Sequence, residues 1–383
     1  MFRPAVRLLL RIAVAIIVFI SGACSYAQTA TAAAPGFALL WRKVVPPLRD
    51  LAISPQGTRL VLLTADNKLA VWDANPAKPL WSKPNVDGSS IAISDGVGYA
   101  ALYDLMNPDG RSIDLYDATT GKLTRTEYAD GAIWDVVVSD SGDYLCYGTG
   151  TGSLYVCTLD MHPSSQRIKL RGVCNSLALS PDDSYVAVGL WNESGVDWMD
   201  LAGKTISSQA GEATKRYEPV IAQDGSTIAG LQYDNHQRRN PTLTLWRKSG
   251  EKLWSYAIGK DALNARALVA KGGQFVVVSY FKQIVRDHVL IPERRLLMLD
   301  ETGKQVFQIG GLYLSLTLMF ISPDNHGFVA YDGDRTLYRF DHSGNAVRTW
   351  PLTSAIRAWA VTSDGKRLIV HTTDNQLALL SVN

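Results

Sequence analysis

Three carboxylates recur at matching places along the chain. Asp50 opens "DLAIS", Asp135 opens "DVVVS" and Glu218 opens "EPVIA", each four residues ahead of a small residue that begins a turn. The same place holds Arg266 in "RALVA", and Ser90, Ser176, Leu318 and Ala358 in other copies. Acids brought to one axis would hold a cation or form a catalytic carboxylate cluster, tasks that need several oxygen ligands or two carboxyls of unequal proton affinity. Acids that stay apart would instead bond to the turn of a neighbouring repeat.

A second set of residues is basic. "QYDNHQRRNPT" carries His236, Arg238 and Arg239, and "FKQIVRDHVLIPERR" carries Lys282, Arg286, His288, Arg294 and Arg295. Both read as long connections between strands, on the face that also holds Arg266. Long loops on a rigid scaffold often carry function. The chemistry suits an anionic ligand, a lipid headgroup or an acidic partner. The plain alternative is a solvated hairpin whose charges keep its edge from pairing. The apolar residues of "IVRDHVLIP" favour a protein contact.

Other chemistry is sparse. There is no HExxH, CxxC or GxSxG motif and no glycine loop for phosphate. The six histidines, His162, His236, His288, His326, His342 and His371, have no metal-ligand spacing. Cys146 and Cys157 lie on consecutive strands. A two-residue turn at Thr151-Gly152 would set them directly opposite, a pairing that permits a disulfide or simply two buried thiols. Cys174 is left over. No cofactor or metal is expected.

These residues must be positioned by something periodic. A short turn of small residues follows an apolar strand at Ser54, Ser94, Ser139, Ser180, Ala222, Ala270, Ser322 and Thr362, at spacings of 40 to 52 residues. Each turn leads into a second strand. A third then ends near Asp, as in "LAVWD", "IDLYD" and "LLMLD", and a Gly-bearing turn precedes a fourth. Eight copies at this period predict an eight-bladed β-propeller of four-stranded blades, all-β, over residues 37–383. The last copy stops at "LALLSVN", so "FALLWRKVV", residues 37–45, is expected to supply its fourth strand. Trp72, Trp81, Trp198, Trp246, Trp254 and Trp350 fall at equivalent strand ends and are expected to pack blades together. Trp134 and Trp359 are expected near the channel mouth.

The Trp72-Asp73 pair and the "SPDD"-like turns resemble WD-repeat propellers. The "TGK…W" stretches resemble pyrroloquinoline-quinone-type propeller repeats. The resemblance spans residues 37–383 and implies the architecture. An exported eight-bladed ring is also similar to the lipoprotein scaffold of outer-membrane protein assembly. For the quinone enzymes of this fold, the resemblance would imply adjacent cysteines, a calcium site and a catalytic Asp, yet no two cysteines here are adjacent.

The N-terminus differs from the body. Arg3, Arg7 and Arg11 precede or flank the apolar run "IAVAIIVFI", and small residues follow. This is the pattern of a signal peptide over residues 1–27, with cleavage after Ser25-Tyr26-Ala27. "SGAC" offers Cys24 for lipidation instead, and an uncleaved anchor is the third reading. Residues 28–36 read as a tether. Removing the first 27 residues changes the formal charge from +2 to +2 − 3 = −1, which argues against nucleic acid as partner. The expectation is an exported, periplasmic binding or scaffold protein that meets another envelope protein or an anionic ligand through blades five and six. The alternative is an enzyme at the channel mouth.

Overall fold

A computed structural model describes residues 36–94, 98–105, 109–159, 164–234, 238–286, 289–310 and 316–382. Of Glu193, Arg286, Val289 and Leu290 it describes the backbone alone. The expected signal peptide, Cys24, His162, His236 and His288 lie outside the described residues.

Eight antiparallel sheets of four strands make the eight blades of a propeller. In blade one the strands run from the inside outward as Leu48–Ile53, Arg59–Thr64, Leu69–Asp73 and Lys78–Lys83. Blades two to seven repeat this order over residues 90–128, 133–169, 174–209, 215–257, 262–310 and 317–351. Blade eight takes its inner three strands from 356–382 and its outermost from Phe37–Val44, which pairs antiparallel with Gln376–Val382. The N-terminal strand thus closes the ring, as the sequence predicts, and Trp41 donates from Nε1 to the carbonyl of Ala74 in blade one at 2.7 Å.

The small-residue turn has a direct physical cause. Ser54 Oγ accepts from the backbone N–H groups of Thr58 and Arg59 at 3.1 and 3.0 Å. Ser180 does the same for Ser184 and Tyr185 at 3.0 Å each, and Thr362 for Arg367 at 3.0 Å. These hydroxyl residues are buried, so a larger or apolar side chain would leave the turn's amides without acceptors. The Asp that ends many third strands works in the same way on the outer turn. Asp300 Oδ1 accepts from Thr302 and Lys304 N–H at 2.9 and 3.0 Å.

The outer Trp–Gly pattern also resolves into contacts. Trp81 donates to the Ala118 carbonyl of blade two at 2.9 Å, and Trp254 to the Glu301 carbonyl of blade six at 3.0 Å. Each ring lies on the glycine of that neighbouring turn. A Cβ on Gly121 would come within 2.7 Å of Trp81, and one on Gly303 within 2.7 Å of Trp254. The two glycines have φ of +73° and +80°, which a side chain would also strain.

The core is divided. Among the described residues, eight apolar clusters each join two neighbouring blades, one for every interface in the ring. This follows from alternation: successive residues of a strand face opposite blades. It also corrects the cysteine pairing. Gly152, at φ +78°, makes the turn after Thr149 one residue longer than expected. Cys146 therefore faces Val156 in the ladder, and Cys157 faces Leu145. Cys146 packs in the interface of blades three and four, Cys157 in that of blades two and three. All three described cysteines, Cys174 included, are free and buried.

Candidate functional site: an arginine-lined channel mouth

Five innermost strands, those of Asp50 and Asp135 among them, shift register by a bulge just before the repeated position, while the strand of Glu218 pairs without a shift. The shifts fall between Leu48 and Asp50, Ile133 and Asp135, Cys174 and Ser176, Leu263 and Arg266, and Ile356 and Ala358. A bulge re-aims the following side chain and breaks the local ladder. In blades one and three the acid at this position accepts backbone amides. Asp50 accepts from Leu51 N–H at 2.8 Å and from Ile91 N–H of blade two at 3.0 Å. Asp135 accepts from Val136 N–H at 2.9 Å and from Leu177 N–H of blade four at 2.7 Å. Burial pushes the Asp135 carboxyl up to about 6 and the Asp50 carboxyl up as well, against those amide bonds.

The acids do not converge. Asp50 and Asp135 tie one blade's inner strand to the next blade's inner strand, whereas the sequence suggested a neighbouring turn. Glu218 takes a bond from Tyr233 Oη at 2.6 Å and an ion pair from Arg238. Among the described residues no group of three His, Cys, Asp or Glu is placed to hold a metal ion.

The basic residues divide instead of forming one lobe. "FKQIVRDHVLIPERR" is not a loop on its described residues. It continues two twelve-residue strands, Phe275–Arg286 and Val289–Asp300, that pair from Phe275 with Asp300 to Arg286 with Val289. Opposed residues share a face and successive residues alternate. Arg294 therefore lies with Phe281, while Lys282 lies with Glu293, and Arg295 with Tyr280.

One face looks into the mouth. A cavity of about 470 Å³ is lined by Arg238, Arg266, Arg294, Phe281, Thr317 and Trp359, among others. The other side of the blade holds a smaller recess of about 240 Å³, with Lys282 and Arg295. There Arg295 Nε donates to Glu293 Oε1 at 3.1 Å. Arg239 is exposed on the connection from blade five, where it bridges to Leu263. That bridge, with Asn264 N–H donating to the Arg238 carbonyl at 3.1 Å, brings Arg238 beside the inner strand that carries Arg266.

Each mouth arginine except Arg266 lies on an aromatic ring. Arg238 sits 4.7 Å from the Tyr233 centroid and Arg294 4.5 Å from that of Phe281. Arg216 sits 3.7 Å from Trp191, which meets Trp134 edge to face at 4.9 Å. Stacking holds a guanidinium flat and leaves its edge for ligands. Arg294 also donates to Thr317 Oγ1. The Nε atoms of Arg216, Arg238 and Arg294 are buried and have no acceptor. Burial holds all three guanidiniums below their usual range. The charge of Arg266 adds to this at Arg238 and Arg294, and that of Arg216 at Arg238. Sequence reading missed Arg216 and Trp191. Arg216 was findable, because it stands two residues before Glu218 on one strand and so faces the same way.

No protein-family model matches the sequence, and no curated protein matches it. Solved structures do. The Dos1 propeller is similar over 90% of this chain and 95% of its own, at 12% identity and a TM-score of 0.66. The computationally designed Ika8 protein is similar over 88% and 96%, at 15% identity and 0.60. A chain of Kuenenia stuttgartiensis hydrazine synthase is similar over 88% and 96%, at 13% identity and 0.53. At such identities the likeness concerns fold. With the eight sheets in ring order, it makes this chain an eight-bladed β-propeller.

Proposed function

We propose that this propeller is a non-enzymatic binding or scaffold protein of the cell envelope. It is exported by its N-terminal segment and contacts an acidic segment of another protein through blades five and six. The observation that carries the reading is the two-stranded ribbon of blade six. Pairing with the blade's own neighbours stops at Lys282 with Ala262 and at Arg295 with Gly310. Four further pairs, from Gln283–Pro292 to Arg286–Val289, project beyond them, roughly 13 Å at about 3.3 Å per residue. Val285 on this ribbon is 72% exposed. Arg239 is exposed on the neighbouring connection, and Lys282 stands half-buried at the ribbon's base on the face opposite Val285, so positive charge flanks the ribbon. A projecting pair of strands with flanking charge offers its backbone and Val285 to a partner segment, as long extensions on rigid scaffolds often do. The enzyme reading needs carboxylates that meet, and the acids of blades one and three are each occupied by two backbone amides.

The test is photo-crosslinking from position 285 in intact cells of the host. The expected result is a discrete protein adduct that disappears when Arg239 and Lys282 are both changed to Glu. Adduct formation that ignores this charge reversal, or no adduct from any ribbon position, overturns the reading.

A further inference from the structure

The mouth cavity is chemically separate from the ribbon's outer surface. We propose that it binds a small organic dianion, bearing carboxylate or phosphate groups, between the forks of Arg238, Arg266 and Arg294. This goes beyond the protein contact proposed above: that contact uses the pairs projecting past Lys282 and Arg295, whereas the cavity lies against the inner part of the blade.

Three observations converge on it. First, charge: Arg238, Arg266 and Arg294 share one cavity with the single opposing carboxylate of Glu218 beside Arg238. The balance is +3 − 1 = +2, and Arg216 stands near enough to repel Arg238. Among the described residues Arg266 forms no ion pair. Second, under-compensated charge: the buried Nε–H groups of Arg238 and Arg294 lack acceptors, so both cations are partly desolvated with fewer hydrogen bonds than buried groups normally have. Third, pre-organisation: Tyr233 and Phe281 fix two of the guanidinium planes, and Thr317 anchors the second. Planar forks held in this way recognise carboxylate and phosphate through paired N–H donors. Asn264 and Ser279 add polar groups, while Leu318 and Trp359 give the cavity an apolar wall. A volume of about 470 Å³ falls in the range of small-molecule sites.

A dianion explains why three guanidiniums tolerate one another. Without it, the arrangement stores repulsion. Removing Arg266 therefore has two opposite effects: it weakens the ligand and relieves the free protein.

The experiment is calorimetric titration of the full chain with phenyl phosphate, phthalate and neutral benzamide, with melting curves alongside. We expect at least one dianion to bind and raise Tm, and benzamide to do neither. Arg266→Gln and Arg294→Gln should each weaken binding about tenfold or more, the effect of losing one charge-assisted fork. Arg266→Gln should also melt higher than wild type when no ligand is present. Lys282→Gln with Arg295→Gln should leave the titration unchanged. Tighter phenyl phosphate assigns the site to phosphate esters, and tighter phthalate to dicarboxylates. Binding that survives both mouth substitutions, or no binding of either dianion, overturns the proposal. The ribbon crosslinking result stands or falls independently, because neither mouth substitution touches position 285, Arg239 or Lys282.

Discussion

Blades one and three differ from blades five and six at a single repeated position. In the first pair that position is Asp, and its two oxygens accept amides from two adjacent blades. In blade five it is Glu218, already turned toward Arg238 and Tyr233. In blade six it is Arg266, which cannot accept an amide at all. Blades one, three and six share a bulge just before this position and blade five lacks it, so between blade six and the first pair it is the side chain that decides between closing the ring and facing a ligand. A carboxylate at the mouth is consumed by structure, and a guanidinium there is left with donors to offer.

That contrast can be broken experimentally. The largest effect belongs to Asp135→Ala. It strips acceptors from Val136 and Leu177 N–H inside the ring, and should cost about 3 kcal/mol in urea unfolding. A loss under about 1 kcal/mol would show the amides finding other partners.

Next comes pH. The folded Asp135 carboxyl titrates near 6, above its unfolded value, so the folded state takes up a proton first as pH falls. Its contribution then rises from pH 7 toward 5. Wild type should gain stability relative to Asp135→Asn over that window, and parallel Tm profiles would contradict the assignment. His371 works the other way. Burial holds its imidazole below the usual range, so its contribution falls as pH drops below about 6.5, the unfolded value. His371→Gln should remove that loss and leave the Asp135 gain visible alone.

The smallest effect is Arg266→Asp, which gives blade six the residue of blades one and three. It should stabilise the free protein by about 1 kcal/mol through pairing with Arg238 or Arg294, because the site is partly exposed. It should also abolish dianion binding. Equal stability with intact binding would mean that the position does not face the mouth.

Much of this architecture could be read from the residues. The turn position is a hydroxyl residue in six of the eight copies, where it can accept the turn's amides, and a small Ala222 or Ala270 in the other two, and the Trp–Gly pairs recur because each ring needs a bare turn to lie on. Those local demands made eight copies countable and left one strand to be supplied from residues 37–45. The site was less legible. Cys146 and Cys157 were misaligned because one positive-φ glycine lengthened a turn, and a single-residue slip reverses every face. The blade-six segment looked like a loop because Arg286, Asp287, His288 and Pro292 interrupt its apolar pattern. The mouth arginines were mixed with outer ones because only the register tells Arg294 from Arg295. The acids' partners could not be foreseen, since they are backbone amides, one beside each acid and one on the inner strand of the next blade.

The closing strand has a mechanical consequence. Phe37 pairs with Val382, so the two ends of the ring leave from the same end of one antiparallel ladder. Tension drawn between them loads the hydrogen bonds one after another rather than all at once. The ring is therefore a zipper with both pull-tabs on one side: firm against side-on shear, and easily peeled by whatever grips both termini.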